Sequence, residues 1–235
     1  MLTDQSIGNH GEAMVKRKSE QREGSRDNRR DQILKAAIKV FSRLGFHEAR
    51  VSDIANQADV AYGLIYHYFE NKEHILNTIF EQHWGFLIEA LEHIEKNYKG
   101  LEAQLEALVD FALRAYKINP DLTNVVVLEI TRSYKFLEEQ NIKLFHKVFE
   151  IVERMIAKEK RRGNLRKGVD PRIASYVILG GLELITNTFV IGEKLADDPE
   201  LRDRVLDPFD EKTLKRIKRS VLTLLTQGLL KPESR

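Results

Sequence analysis

Residues 51–72 read VSDIANQADVAYGLIYHYFENK, and this order of residues dictates two short helices joined by a tight turn. Ile54, Ala55 and Ala58 put an apolar stripe on the first helix at the i, i+1, i+4 spacing of one helical face. Asp59 stands where the chain must reverse, and aspartate tolerates the left-handed backbone such a reversal demands. Val60 plugs the corner, and Leu64 and Ile65 resume the stripe. The small side chains of Ala55 and Ala58 let the helices cross steeply, as in a helix-turn-helix. The second helix, about seven residues long, then turns Tyr62, Tyr66 and His67 outward. Aromatic and hydroxyl-bearing groups facing water on so short a helix are wasted as packing. They suit a surface that enters a DNA major groove.

Working upstream, the whole chain carries a net charge of only +2, but Lys16 to Arg43 holds ten basic residues and four acidic ones. A basic excess just ahead of a reading corner lies where phosphate neutralisation is wanted. Residues 1–25 lack periodicity and are expected to form a disordered basic arm, with Met14 an alternative start. A helix over about 27–44 follows from Ile33, Leu34, Ala37, Val40 and Phe41 on one face, and Gly45 is its natural end.

Working downstream, Asn71 caps a long helix running to about Asn97 through Ile75, Phe80, Trp84, Leu87, Leu91 and Ile94, with Gly85 in its middle. Lys72 and the first amides of that helix are placed to meet a phosphate. Further helices are predicted over 101–118, 121–136, 138–162, 172–195 and 210–229, punctuated by Gly100, Asn119-Pro120, Gly163 and Asp170-Pro171. The β-branched Val125–Val127 run could form a strand, but its flanks and length favour helix. In 138–162 the inward face is Ile142, Phe145, Val148, Phe149, Val152, Met155 and Ile156. The helix 172–195 is apolar nearly all round and must be covered on both sides, and Gly180 and Gly181 let another backbone come close. The last helix aligns Leu214, Ile217, Val221, Leu224 and Leu225. The final two helices read as a homodimer interface, a buried monomer core being the alternative.

Composition removes several function classes. The 235 residues are 42% hydrophobic and 31% charged, enough for one or two domains with a substantial core. Zero cysteines exclude disulfides, cysteine-bound zinc and thiol catalysis, and fit a reducing cytoplasm. No GxSxG, HExxH or P-loop motif is present, and His67, His74 and His83 are not set at metal-ligand spacing, so an enzyme is not expected. No stretch is expected to span a membrane, and the N-terminus lacks the apolar core of a secretory signal.

Residues 33–76 resemble the DNA-binding domain of the TetR family of bacterial repressors. The matching pieces are Ile33-Leu34-Lys35-Ala36-Ala37, Phe41, Gly45-Phe46, Asp53-Ile54-Ala55, Ala58, Val60, Gly63, Ile65-Tyr66, Tyr68-Phe69, Asn71-Lys72-Glu73 and Leu76. The resemblance implies an all-α homodimer of about nine helices. It divides into a three-helix DNA-binding domain over 26–71 and a helical ligand-binding and dimerisation domain over 72–235. Three positions depart from the family pattern: Asp59 replaces the usual turn glycine, Ala61 the usual Ser or Thr, and Ala49-Arg50 the usual threonine. On palindromic double-stranded operator DNA, the implied contacts come from Arg50, Val51, Ser52, Ala61, Tyr62, Gly63, Tyr66, His67 and Lys72. Of these Tyr62 and Gly63 approach bases, and Arg50, Tyr66, His67 and Lys72 hold phosphates.

Three longer segments, FHEARVSDIANQADVAYGLIYHYFENKEHIL, LEITRSYKFLEEQNIKLF and GNLRKGVDPRIASYVILGGLELITNTFV, are similar to the acyl-CoA-responsive repressors of fatty-acid degradation. That similarity implies no cofactor, but a long-chain acyl-CoA as effector. A tunnel lined by Phe80, Trp84, Phe111, Phe145, Phe149, Tyr176, Leu179 and Phe189 would take the chain. Arg132, Lys135, Arg172 or Lys194 would meet the phosphates. Glu183, Thr186 and Asn187 are polar groups on an apolar helix that need either ligand or cross-dimer partners. The rival readings are a sensor of amphipathic drugs or another hydrophobic molecule, and a lipid carrier that binds no DNA. The carrier leaves Tyr62, Tyr66 and His67 without purpose.

Overall fold

The computed structural model describes residues 27–132, 138–195 and 206–232, and the expected N-terminal arm lies outside them. Among the described residues there are nine helices and no named strand. They are α1 (27–44), α2 (Val51–Gln57), α3 (Tyr62–Ile65), α4 (Lys72–Asn97), α5 (Leu101–Ile118), α6 (Pro120–Arg132), α7 (Glu139–Arg161), α8 (Pro171–Leu195) and α9 (Glu211–Leu229). The Val125–Val127 run is helical, within α6. Contacts divide the chain into two compact units, one up to Ile75 and one from Leu76 onward.

The first unit is closed by a small apolar core. Ile33, Ala37, Val40 and Phe41 of α1 meet Phe46, Ile54, Ala55, Ala58, Ile65 and Phe69, all buried, and the Phe41 and Phe46 rings stand edge to face at 5.5 Å. Gly45 takes the positive φ of 77° that stops α1, its amide donating to the Phe41 carbonyl at 2.8 Å. Asp59 is the one non-glycine residue with positive φ (52°) among the described residues. The reversal it makes is tied by the Val60 amide on the Ala55 carbonyl (3.0 Å) and by the Gln32 side-chain amide on the Ala58 carbonyl (2.6 Å).

In the second unit α7 packs on α8, α9 on α5, and α5 also touches α6, α7 and α8. Capping residues set the boundaries: Asp170 accepts from the Arg172 and Ile173 amides, as expected, and Asp210 accepts from those of Lys212 and Thr213. Charged pairs fasten the helices. Glu95 on α4 takes Arg154 and Lys158 of α7, and Lys218 on α9 takes Glu106 and Asp110 of α5. The α7 face differs from the predicted one at its start. Asn141 is buried and donates to the side-chain and backbone oxygens of Asn77, which turns Ile142 outward. A second change concerns membranes. Pro171–Gly192 in α8 is long and apolar enough to cross one, with mean hydropathy 1.5, against the expectation that no stretch would be. The cause lies in its two faces. Ala174, Ile178, Leu182, Phe189 and Val190 are core, while Ile173, Val177, Leu184 and Ile191 are exposed.

Candidate functional site

The reading corner presents its polar groups as the sequence arranges them. Ala61, Tyr62, Gly63, Tyr66 and His67 are exposed along α3 and its end, Arg50 is exposed ahead of α2, and Val51 and Ser52 are half-buried at its start. Regular helix covers only Tyr62–Ile65 rather than seven residues. It continues as tight turns, with the His67 amide on the Leu64 carbonyl (3.1 Å) and the Tyr68 amide on that of Ile65 (3.0 Å). The missing N-cap hydroxyl is visible: Ala61 makes no side-chain cap. On α2 the Arg50 amide instead finds the Asp53 carboxylate at 2.9 Å, which leaves the guanidinium outside the cap. Tyr62 and Tyr66 form a unit. Their rings stand edge to face at 5.3 Å and their hydroxyls lie 2.8 Å apart, a hydrogen bond that raises the Tyr66 pKa. Such a pair offers one rigid hydroxyl edge instead of two loose ones.

Lys72 departs from its expected part. Its ammonium donates to the carbonyls of Phe46 (2.6 Å), Ala49 (2.8 Å) and His47 (3.1 Å) and sits 4.6 Å above the Phe46 ring. An ammonium has three protons, and all three are taken. Lys72 ties the loop after α1 to the start of α4, and a phosphate would have to displace those bonds. Asn71 does cap α4, accepting from the His74 amide at 2.7 Å.

The second unit holds a half-open cavity of about 170 Å³ between α4, α5, α6, α7 and α8. Trp84, Phe111, Phe145, Phe149, Leu179 and Glu183 line it, as expected. Trp84 packs edge-on to Phe145 at 5.4 Å, and Phe145 to Phe149 at 4.9 Å, so three aromatic rings form a continuous wall. Four expected members are placed elsewhere. Phe80 is wholly buried core, Phe189 packs against Tyr116 at 5.4 Å, Tyr176 stands edge to face with Phe149 at 5.0 Å outside the lining, and Asn187 is not part of the lining. The Asn187 side-chain oxygen is buried without a partner among the described residues. Of the four candidate cations, Arg172 pairs with Glu153 at 3.3 Å. Lys135 and the side chains of Arg132 and Lys194 lie outside what is described.

The lining also includes residues not anticipated, above all His83 on α4 and Leu108, Ala112, Ala115 and Tyr116 on α5. Their signal was present as the small-residue side of α5, since alanines on an inward face leave space. Desolvation drives the His83 pKa down to about 4, so its imidazole is neutral at pH 7, and the same cause raises that of Glu183.

Residues 33–79 match bacterial regulatory proteins of the tetR family, and residues 80–207 match the C-terminal region of the YsiA-like protein. The chain belongs to the tetR family. It is a transcriptional regulator, and the relatives it matches are regulators, not enzymes. The fatty acid metabolism regulator protein of Bacillus subtilis (strain 168) is 30% identical over 176 residues, which cover 75% of this chain and 91% of that protein. Among solved tetR-family structures, the regulator FadR from Bacillus subtilis in complex with stearoyl-CoA has a TM-score of 0.69 at 28% identity, covering 84% of this chain and 97% of that one. The fatty acid degradation regulator FadR from Bacillus halodurans has a TM-score of 0.67 at 26% identity, covering 83% and 93%. The similarity to fatty-acid regulators thus extends through the cavity-bearing unit as well as the tetR-family DNA-binding segment.

Proposed function

We propose that the protein is a homodimeric cytoplasmic repressor that leaves a palindromic operator when a long-chain acyl-CoA occupies the cavity of the second unit. The observation that carries this reading is the aromatic cavity itself, in a chain whose relative FadR has been solved with stearoyl-CoA. At about 170 Å³ the space is smaller than the roughly 300–1,000 Å³ of ordinary ligand pockets, and in this reading an acyl chain displaces its walls as it enters. One of those walls is α4, which contributes His83, Trp84 and Leu87 and starts at Lys72 in the first unit. In this reading residues 26–71 read DNA and 72–235 hold ligand and partner subunit.

Dimerisation through α8 and α9 is supported by what α8 leaves open. Val177, Leu184 and Ile191 are exposed at intervals of seven, the spacing at which one helix seats against another. A Cβ built on Gly180 or Gly181 meets nothing within 4 Å, so packing among the described residues of one chain does not call for those glycines. A close-packed partner helix does. Two copies then hold their α3 helices about one DNA turn apart, ~34 Å or a multiple, with Tyr62 and Gly63 at base edges and Arg50, Tyr66 and His67 on phosphates.

The reading is tested by anisotropy of labelled operator DNA, selected by the protein from a random duplex pool, titrated with stearoyl-CoA. DNA release at saturating acyl-CoA is the expected result. Undiminished DNA binding would remove acyl-CoA as effector.

A further inference from the structure

Tyr62 is 53% and Tyr66 47% exposed, two large rings left facing solvent on α3 and at its end. Their edge-to-face packing at 5.3 Å holds the two hydroxyl oxygens 2.8 Å apart, and either oxygen can be the donor. Between them, a Cβ built on Gly63 meets nothing within 4 Å, so packing among the described residues does not call for a glycine there. Its missing side chain leaves the backbone beside Tyr62 open to close approach. Each phenol carries one proton and can also accept at its oxygen. The bond between the hydroxyls uses one of the two protons, so the pair has one left to give outward.

Resting on the placement of Tyr62 at a base edge and Tyr66 on a phosphate, we propose that the pair makes Tyr62 an obligate hydrogen-bond acceptor. It then selects an amino-bearing base, adenine or cytosine, over a keto-bearing guanine or thymine at the position it meets. A DNA phosphate only accepts, so it takes the one outward proton, and that proton must be the one on Tyr66. Tyr66 therefore accepts from Tyr62, and the Tyr62 oxygen faces the base with lone pairs alone. In the major groove adenine offers its N6 amino group and cytosine its N4 amino group, where guanine and thymine place carbonyl oxygens. Opposite a carbonyl, two acceptors meet with no proton between them. A wrong base pair weakens specific binding by roughly 5- to 150-fold, and one lost hydrogen bond falls at the low end of that range.

The test lets the full-length protein, Tyr62→Phe and Tyr66→Phe each select from a random-sequence DNA duplex pool, with the bound duplexes sequenced. Both changes remove one exposed oxygen and keep the ring, so the fold is preserved, which far-ultraviolet dichroism verifies. The wild-type protein should enrich adenine or cytosine about fivefold or more at a position where Tyr62→Phe no longer discriminates. In Tyr66→Phe the Tyr62 proton is released from the pair and can be donated, so guanine or thymine should be admitted at that position while preferences elsewhere stay. Loss of a phosphate contact alone would weaken all sequences alike, and the base preference separates the two effects. In the selected duplex, deleting only the amino group of that base should lower wild-type affinity about fivefold by anisotropy and leave Tyr62→Phe unchanged. A keto-bearing base enriched at the Tyr62-dependent position, as a thymine methyl packed on the ring would give, overturns the proposal. So does an amino preference unmoved by Tyr66→Phe, or the lack of any position that Tyr62→Phe alters, and each leaves a sequence-specific DNA-binding protein standing. Failure of the wild-type protein to enrich any sequence overturns the operator reading as well.

Discussion

Three carbonyls converge on one ammonium in the first unit, and the consequence for Lys72 is measurable. Phe46 and Ala49 are buried, so removing the Lys72 donor leaves their carbonyls short of partners where water reaches them poorly. Lys72→Met should lower unfolding stability by about 2–3 kcal/mol, read by denaturant titration. If the ammonium serves the loop alone, the slope of log DNA affinity against log salt stays unchanged in the folded variant. A slope smaller by about one would return Lys72 to the phosphate contacts. At this scale the sequence was legible wherever chemistry is local. Asp59 in left-handed geometry, Gly45 ending α1 and Asn71 capping α4 all follow from the residue and its immediate neighbours. Lys72 was not, because its partners lie 23 to 26 positions upstream and only the folded corner gathers them.

Helix limits were readable for the same local reason, since Gly100, Asn119-Pro120, Gly163 and Asp170-Pro171 punctuate the chain chemically. Faces were less so. A period of 3.6 residues marks which side of a helix is apolar, but not whether that side meets packed core, an internal space or another subunit. The inward alanines of α5 bordered space, and Phe80 filled core. The buried Asn141–Asn77 pair then overrode the apolar pattern at the start of α7. The outer face of α8 gives the sharpest test at this scale. Leu184 is 65% exposed, so Leu184→Glu should change the stability of a single chain by no more than about 0.5 kcal/mol. In a dimer seated on that face the same change buries a carboxylate against apolar side chains. Sedimentation should show monomer with helical content unchanged, and a persisting dimer would move the interface off this face.

For the whole molecule the question is how a chain-filled cavity alters DNA affinity. If acyl-CoA releases the protein from DNA as proposed, ligand and DNA favour different states, and linkage makes their effects reciprocal: the factor by which acyl-CoA weakens DNA binding is then the factor by which DNA weakens acyl-CoA binding. In that reading, a ligand that widens the space of about 170 Å³ should displace α4 most readily at Gly85, the weak point of the helix directly after the cavity residues His83 and Trp84. A Cβ on Gly85 meets nothing within 4 Å, so Gly85→Ala fits the present structure and should add about 1 kcal/mol of helix stability. If α4 yields there, the variant should melt higher and hold DNA normally without effector, yet lose part of the response. Its coupling factor, ordinarily about 5–150 for such regulators, should fall several-fold when DNA affinity is measured with and without stearoyl-CoA. An unchanged factor alongside the raised melting temperature would mean that α4 transmits the displacement as an unbent rod, with Gly85 taking no part in it.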